Sequence, residues 1–277
     1  MPRRLIFIYG LSEDFLFRVI VTYSELRARE IYDNYRCFDK DVLLFPARDL
    51  IFYSADIHSS LIVQQRIRVL EKILSGKGGT IITTMGSCMD HLLPLGEFQK
   101  NILKIEIEST LDLEELKKTL VSLGYERMGQ VEGEGQFAIR GGILDIFPLT
   151  EETPVRVELW GDEVDSIRTF DVESQRSIEN LQKIEIYPAA ELQSQKKQSF
   201  LEYFPTEESI LFLDEPQRLI EKANEIEEEF QESVRKREEA GLEETQELTV
   251  YPVLEILNRI NQFYGVAFTA LEGKCRG

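Results

Sequence analysis

The sequence predicts an α/β protein: a parallel sheet with flanking helices, interrupted by a small antiparallel β-rich domain. Three observations carry this. Up to residue 107, continuous apolar runs alternate with amphipathic stretches, as expected of strands buried on both faces and the helices that cross between them. From Tyr125 to Tyr187 the apolar runs become short and alternating, separated by Gly or Asp turns, the pattern of hairpins. From Ser209 the first pattern returns. A chain of 277 residues can bury two or three cores. The expected division is 1–115 for the first part of the α/β region, 116–189 for the β-rich insertion and 190–277 for the remainder.

In order, "RLIFIY" (4–9), "RVIVT" (18–22), "DVLLFP" and "GTIITT" read as buried strands. Ser24 is a candidate N-cap for a helix running to about Arg36. Residues 59–75 form an amphipathic helix closed by Gly76, and a short helix is expected around Cys88 to Leu93. "ILKIEI" is read as one more strand of the parallel series, before the helix 111–124. The β-rich stretch contains "MGQVEGEGQFAIRGG", "ILDIFP", "PVRVELWGDEVDSIRTFD" and "LQKIEIYP". "SILFLDEP" then gives a strand, Gln217 to Ala240 a very acidic helix, Leu254 to Phe263 another, and "GVAFTAL" a last strand. Glu227 to Glu229 and Glu243 to Glu244 read as a solvated helix face and loop.

Lys and Arg number 32 against 50 Asp and Glu, a net charge of −18. That balance disfavours general affinity for nucleic acid, which needs positive charge gathered on a surface, and makes proteins the expected partners. Cys37, Cys88 and Cys275 are scattered and outside any C-x-x-C, which fits a reducing cytoplasm. Cys88 with His91 is the one metal-like spacing and His58 the other histidine. That is short of the ligand set zinc requires, so no metal and no cofactor is expected. No apolar stretch reaches the roughly 20 residues of a membrane helix, and "LSEDF" offers no signal-peptide cleavage site. A cytoplasmic location with no membrane partner is expected.

Two stretches suggest phosphate chemistry. "SGKGGT" (75–80) has the residues of a phosphate loop in reversed order, helix before and strand after, and lacks the G-x-x-x-x-G-K-[ST] spacing. A helix end and turn is the better reading. "ILFLDEP" (210–216) resembles the Mg²⁺-holding strand of nucleotide hydrolases, but that carboxylate works only opposite a phosphate loop. Asp214 and Glu215 are therefore read as a relic of an ATPase fold or as helix-start acids. No nucleophile, base and acid assemble from two histidines, so no catalytic residue is assigned.

The β-rich stretch is more informative. In "PVRVELWGD", Val155, Val157 and Leu159 point to one face of a strand; Arg156, Glu158 and the chain's one tryptophan, Trp160, point to the other. In "FAIRGGILDIFP", Arg140 precedes Gly141-Gly142, a pair suited to the positive φ angles of a two-residue hairpin turn. Gly161-Asp162 marks the next turn and puts Trp160 near a strand end. Arg140 has a local reading, pairing with Asp145 or Glu158; Trp160 has one too, capping a small core. The alternative is a docking face, because Trp and Arg dominate interface hot spots.

The block "FAIRGGILDIFPLTEETPVRVELWGDEVDSIRTFDVESQRS" (137–177) resembles the second domain of the bacterial transcription-repair coupling factor family and, less closely, the matching domain of UvrB. "FDVESQRS" favours the former, and "VLLFPARDLIFYSADIHSSLIVQQRIRVLEKIL" extends the likeness upstream. The resemblance implies a UvrB-like module of domains 1a, 2 and 1b, with domain 2 inserted in a P-loop-NTPase-like fold that has lost ATP binding. It implies an adaptor that binds UvrA and brings nucleotide excision repair of DNA damage to stalled RNA polymerase. The family's UvrA contacts fall on Arg140, Arg156 and Trp160, the last commonly Phe in the family; Gly141, Gly142, Glu158 and Gly161 would support them. A phosphate-loop region, an RNA-polymerase-binding domain and a translocase motor look absent. ATP-dependent DNA translocation, RNA polymerase and DNA would then belong to the complete protein and not to this polypeptide. Two alternatives stand: a fragment of a UvrB-like ATP-dependent excision nuclease subunit, and a DNA-binding module.

Overall fold

The computed structural model describes residues 10, 14–47, 56–190, 192, 194–239 and 250–269, with the side chains of α2 from residue 61. The apolar run at 4–9, the acidic pair at 243–244 and Cys275 lie outside the described residues. The strands are β1 (Phe17–Thr22), β2 (Leu43–Phe45), β3 (Gly79–Thr84), β4 (Leu103–Glu106), β5 (Glu126–Arg127), β6 (Gln136–Arg140), β7 (Ile143–Ile146), β8 (Val155–Trp160), β9 (Glu163–Phe170), β10 (Ser177–Leu181), β11 (Lys183–Ile186), β12 (Ser209–Asp214) and β13 (Tyr264–Phe268). The helices are α1 (Glu25–Tyr35), α2 (Asp56–Leu74), α3 (Met85–Met89), α4 (Leu95–Lys100), α5 (Leu113–Ser122), α6 (Pro216–Glu239) and α7 (Val253–Ile260), with a 3₁₀ turn at Phe200–Tyr203. Two compact units result, one from Met1–Ser54, Lys72–Pro94 and Lys196–Gly277, the other from Ala55–Glu71 and Leu95–Gln195. The second unit therefore reaches beyond 116–189 in both directions. Among the described residues, no helix is long and apolar enough to cross a membrane.

The first unit is built on a parallel sheet ordered β13-β12-β1-β3-β2. Its central strands are buried along both faces, Val19, Ile20 and Val21 on β1 and Leu211 and Phe212 on β12, which is why they read as unbroken apolar runs. Ser24 caps α1 by accepting from the Arg27 amide, and Ala28, Ile31 and Tyr35 pack with Ile20, Ile82 and Phe212. The helix expected at 88–93 instead spans Met85–Met89, because Thr84 at the end of β3 is its N-cap and accepts from the Ser87 amide. Cys88 lies in the core, where burial pushes its thiol pKa up.

The second unit carries a six-stranded sheet, ordered β10-β9-β8-β7-β6-β5. Its pairs are antiparallel except β5 with β6. One face is apolar: Phe137, Leu144, Ile146, Val155, Val157, Val164 and Ile167 pack under Leu116 and Leu120 of α5, a helix capped by Asp112, which accepts from the Glu114 and Glu115 amides. "ILKIEI" departs from the expectation. It forms β4, which pairs antiparallel with β11 in a two-stranded sheet instead of joining the parallel series. The reason is legible afterwards. Ile105 is buried in the second unit's core while Lys104 and Glu106 face out, and a strand with one wet face suits an antiparallel pair.

The apolar face sets the energetics of this unit. Leu144 is fully buried there, so Leu144→Ala should cost about 3 kcal/mol through lost burial and the cavity left behind. Urea unfolding followed by far-UV circular dichroism measures it; a loss below about 1 kcal/mol would contradict this packing.

Candidate protein-docking face

On β8, Val155 and Val157 are buried in the core and Leu159 packs against it. The opposite face receives Arg156, Glu158 and Trp160. Strand register places Asp145 of β7 directly across from Arg156, and Arg156 across from Arg168 of β9. The polar residues of β8 therefore meet partners on both neighbouring strands.

Asp145 organises this face. It is 1% exposed, and a carboxylate so far from water is tolerated only when paired and hydrogen-bonded. Arg156 supplies Nε to Oδ1 at 2.6 Å and Nη2 to Oδ2 at 2.9 Å; Arg140 supplies Nη2 to Oδ2, also at 2.9 Å. Arg156 is further held by its guanidinium lying 4.5 Å from the Phe170 ring centre and by Nη2 donating to Gln175 Oε1 at 2.9 Å. Its pKa is raised, first by the hydrogen bond to Asp145, so it carries its charge at any ordinary pH. Glu158 pairs with Arg168 and accepts from Ser166 Oγ; Arg140 goes to Asp145 alone among the two local partners considered.

The two arginines differ in access. The Arg140 side chain is 53% exposed and that of Arg156 only 16%. Trp160 is 86% exposed, so it does not cap the core. It stands at a two-residue turn in which Gly161 takes φ +65°. The turn is tied down by Leu111 N–H donating to the Asp162 carbonyl and by exchange between Val164 and residues 108–109. An indole left in water on a braced strand would gain little chain order on docking. Arg156 and Trp160 are four residues apart on one strand, roughly 13 Å at 3.3 Å per residue, so the face is an elongated strip.

The glycine pair plays two roles rather than one. Gly141 takes φ +59° and makes the turn. Gly142 is not left-handed; a Cβ there would sit 2.9 Å from the Leu159 carbonyl oxygen, so glycine allows the close approach through which Leu159 N–H reaches Gly142 O at 2.8 Å. Arg168, Phe170 and Gln175 were not singled out from sequence. Arg168 and Phe170 share one face of β9 by alternation, a signal that was available, and the strand register sets that face with Arg156; Gln175 lies in a turn and left none.

Asp214 and Glu215 lie in the other unit. Asp214 is buried at the end of β12 and accepts from Arg27 Nε at 2.8 Å and Nη2 at 3.2 Å, and from Thr22 Oγ1 at 3.2 Å. The hydrogen bond to Asp214 is the first cause of Arg27's raised pKa. A carboxylate engaged by a guanidinium in this way does not fit the Mg²⁺ of a bound nucleotide. Glu215 takes φ +57° and donates its N–H to the Phe268 carbonyl at the start of α6.

Residues 103–192 match the model of the UvrB interaction domain. The matched segment lies within the second unit. Over 175 residues the chain is 36% identical to the transcription-repair-coupling factor of Bacillus subtilis (strain 168), covering 62% of this chain and 15% of that protein. It is 34% identical over 176 residues to the protein of that name from Staphylococcus aureus (strain MRSA252), 64% of this chain and 14% of the other. With Staphylococcus epidermidis (strain ATCC 35984) the figures are 35% over 153 residues, 55% and 13%. The chain spans about one seventh of the length of these relatives.

Two predictions follow from the geometry. Trp160 fluorescence should be quenched by acrylamide nearly as readily in the native protein as in urea; strong native protection would contradict its exposure. Asp145→Ala strands the part-buried Arg156 without its carboxylate and should cost about 3 kcal/mol, far above the ~0–1 kcal/mol of an exposed pair, as read from urea midpoints.

Proposed function

We propose that this chain is a non-catalytic adaptor module of a transcription-repair coupling factor. Its docking strip binds UvrA and so recruits nucleotide excision repair to RNA polymerase stalled at DNA damage. The observation that carries the reading is Arg140 and Arg156 meeting on one buried carboxylate, with the exposed Trp160 further along the strand of Arg156, inside the segment that matches the UvrB interaction domain. The chemistry suits a partner with an acidic side chain for the guanidiniums and an apolar recess for the indole. Arg27 holding Asp214 supports a non-catalytic role, and the net charge of −18 weighs against a DNA-binding module.

The finer assignments belong to the same proposal. Segment 116–189 is the docking domain 2, 1–115 and 190–277 are the flanking 1a-like and 1b-like parts, and the parallel sheet is a P-loop-type fold with Asp214 and Glu215 as relics. Contact with RNA polymerase and DNA, and ATP-driven translocation, are assigned to the rest of a longer cytoplasmic protein.

Pull-down and titration with purified bacterial UvrA test the proposal. Trp160→Ala and Arg140→Ala should each weaken binding at least thirtyfold, the loss of a hot-spot anchor of about 2 kcal/mol, with unchanged circular dichroism. Arg156→Ala should weaken it too, at some cost in stability. Unaltered binding by all three would refute the docking role.

A further inference from the structure

The turn between β9 and β10 holds a conformation that its residue type does not favour. Gln175 lies at φ +58°, in the left-handed region, which for a residue other than glycine costs about 1 kcal/mol or more unless its surroundings impose it. The surroundings do. Asp171 accepts from the Ser174 amide and hydroxyl, Gln175 N–H donates to the Asp171 carbonyl, and Asp171 N–H donates to the Arg176 carbonyl. The Ser174 hydroxyl and amide also hold the Asp171 carboxyl pKa below its usual value. Both ends of the Gln175 amide are then engaged: Nε2 donates to the Val172 carbonyl at 2.8 Å, and Oε1 accepts from Arg156 Nη2 at 2.9 Å. Since Nε2 is anchored, Oε1 is aimed.

A guanidinium has five N–H donors. In Arg156, Nε goes to Asp145, and Nη2 is shared between Asp145 and Gln175. With Nη2 saturated, the two Nη1 hydrogens are the donors left to offer an incoming carboxylate. We propose that Gln175 is a positioning residue of the docking face, acting through Arg156: it occupies Nη2, fixes the guanidinium plane together with Asp145, and directs Nη1 to an acidic side chain of the partner. This rests on the UvrA-docking reading. Backbone strain is stored where a side chain must be held for binding.

The test is a double-mutant cycle with purified UvrA. Gln175→Gly suits the left-handed backbone and removes only the clasp, so the melting temperature should hold or rise. Its affinity for UvrA should fall about tenfold, the worth of one hydrogen bond to a charged group. In an Arg156→Lys background, where no Nη2 exists to be held, Gln175→Gly should have no further effect; in a Trp160→Phe background it should still weaken binding about tenfold. Equal losses in both backgrounds would mean that the turn merely supports the fold, and no loss in the otherwise wild-type chain would mean that Arg156 needs no clasp; either overturns the proposal. Absence of UvrA binding by the wild-type chain would overturn the docking reading and this one together.

Discussion

One buried carboxylate governs the candidate site. Asp145 is out of water in the middle of a sheet face, and an isolated charge there would be prohibitive. The solution is two guanidiniums, one from the preceding strand and one from the following strand. Because Arg156 binds it through two nitrogens, the carboxylate fixes orientation as well as charge. Arg140 and Arg156, sixteen positions apart in sequence, thereby become neighbours, one open to solvent and one held back.

The apolar face makes this possible. Val155, Val157, Leu144 and Phe137 lock the strands of the second unit in register under α5, and a shift of one residue would exchange the two faces. Register thus specifies chemistry: the alternation that buries valines is what lines up Arg156, Glu158 and Trp160. The hairpin tips complete the arrangement, with Gly142 admitting the β8 backbone and Gly161 turning it just after the indole. Large apolar area in water is normally avoided, and an indole 86% exposed on a braced strand has a simple rationale as an anchor for a partner.

Much of this was legible in the sequence because it depends on local pattern. Period-two alternation marked β8, Gly-Gly and Gly-Asp marked the turns, and unbroken apolar runs marked β1, β3 and β12. What escaped depends on which segments become neighbours. "ILKIEI" continues an α/β rhythm in sequence, yet its partner β11 lies about eighty residues on, and only the alternating Lys104 and Glu106 hinted at a strand with a wet face. Asp145 looked like an optional surface partner of Arg140, because nothing local shows that a third strand will bring Arg156 onto the same carboxylate and bury it. Gln175 was invisible for the same reason: its value comes from a left-handed turn closing over a residue nineteen positions earlier. At Asp214 the strand resembles a metal-holding one and reads as a relic or a helix-start acid; what no local pattern shows is that the fold brings Arg27 onto that carboxylate.

The proposed function stands on a single solvent-exposed indole, at the end of the strand that carries Arg156, serving as the anchor for UvrA. Trp160 is the one tryptophan of the chain, so labelling with 5-fluorotryptophan places one ¹⁹F resonance at the site. The account predicts a signal in the free protein with the full H₂O/D₂O isotope shift of an exposed ring, which moves and loses that isotope shift as unlabelled UvrA is added to saturation. A resonance that keeps its position and isotope shift in the saturated complex would contradict it.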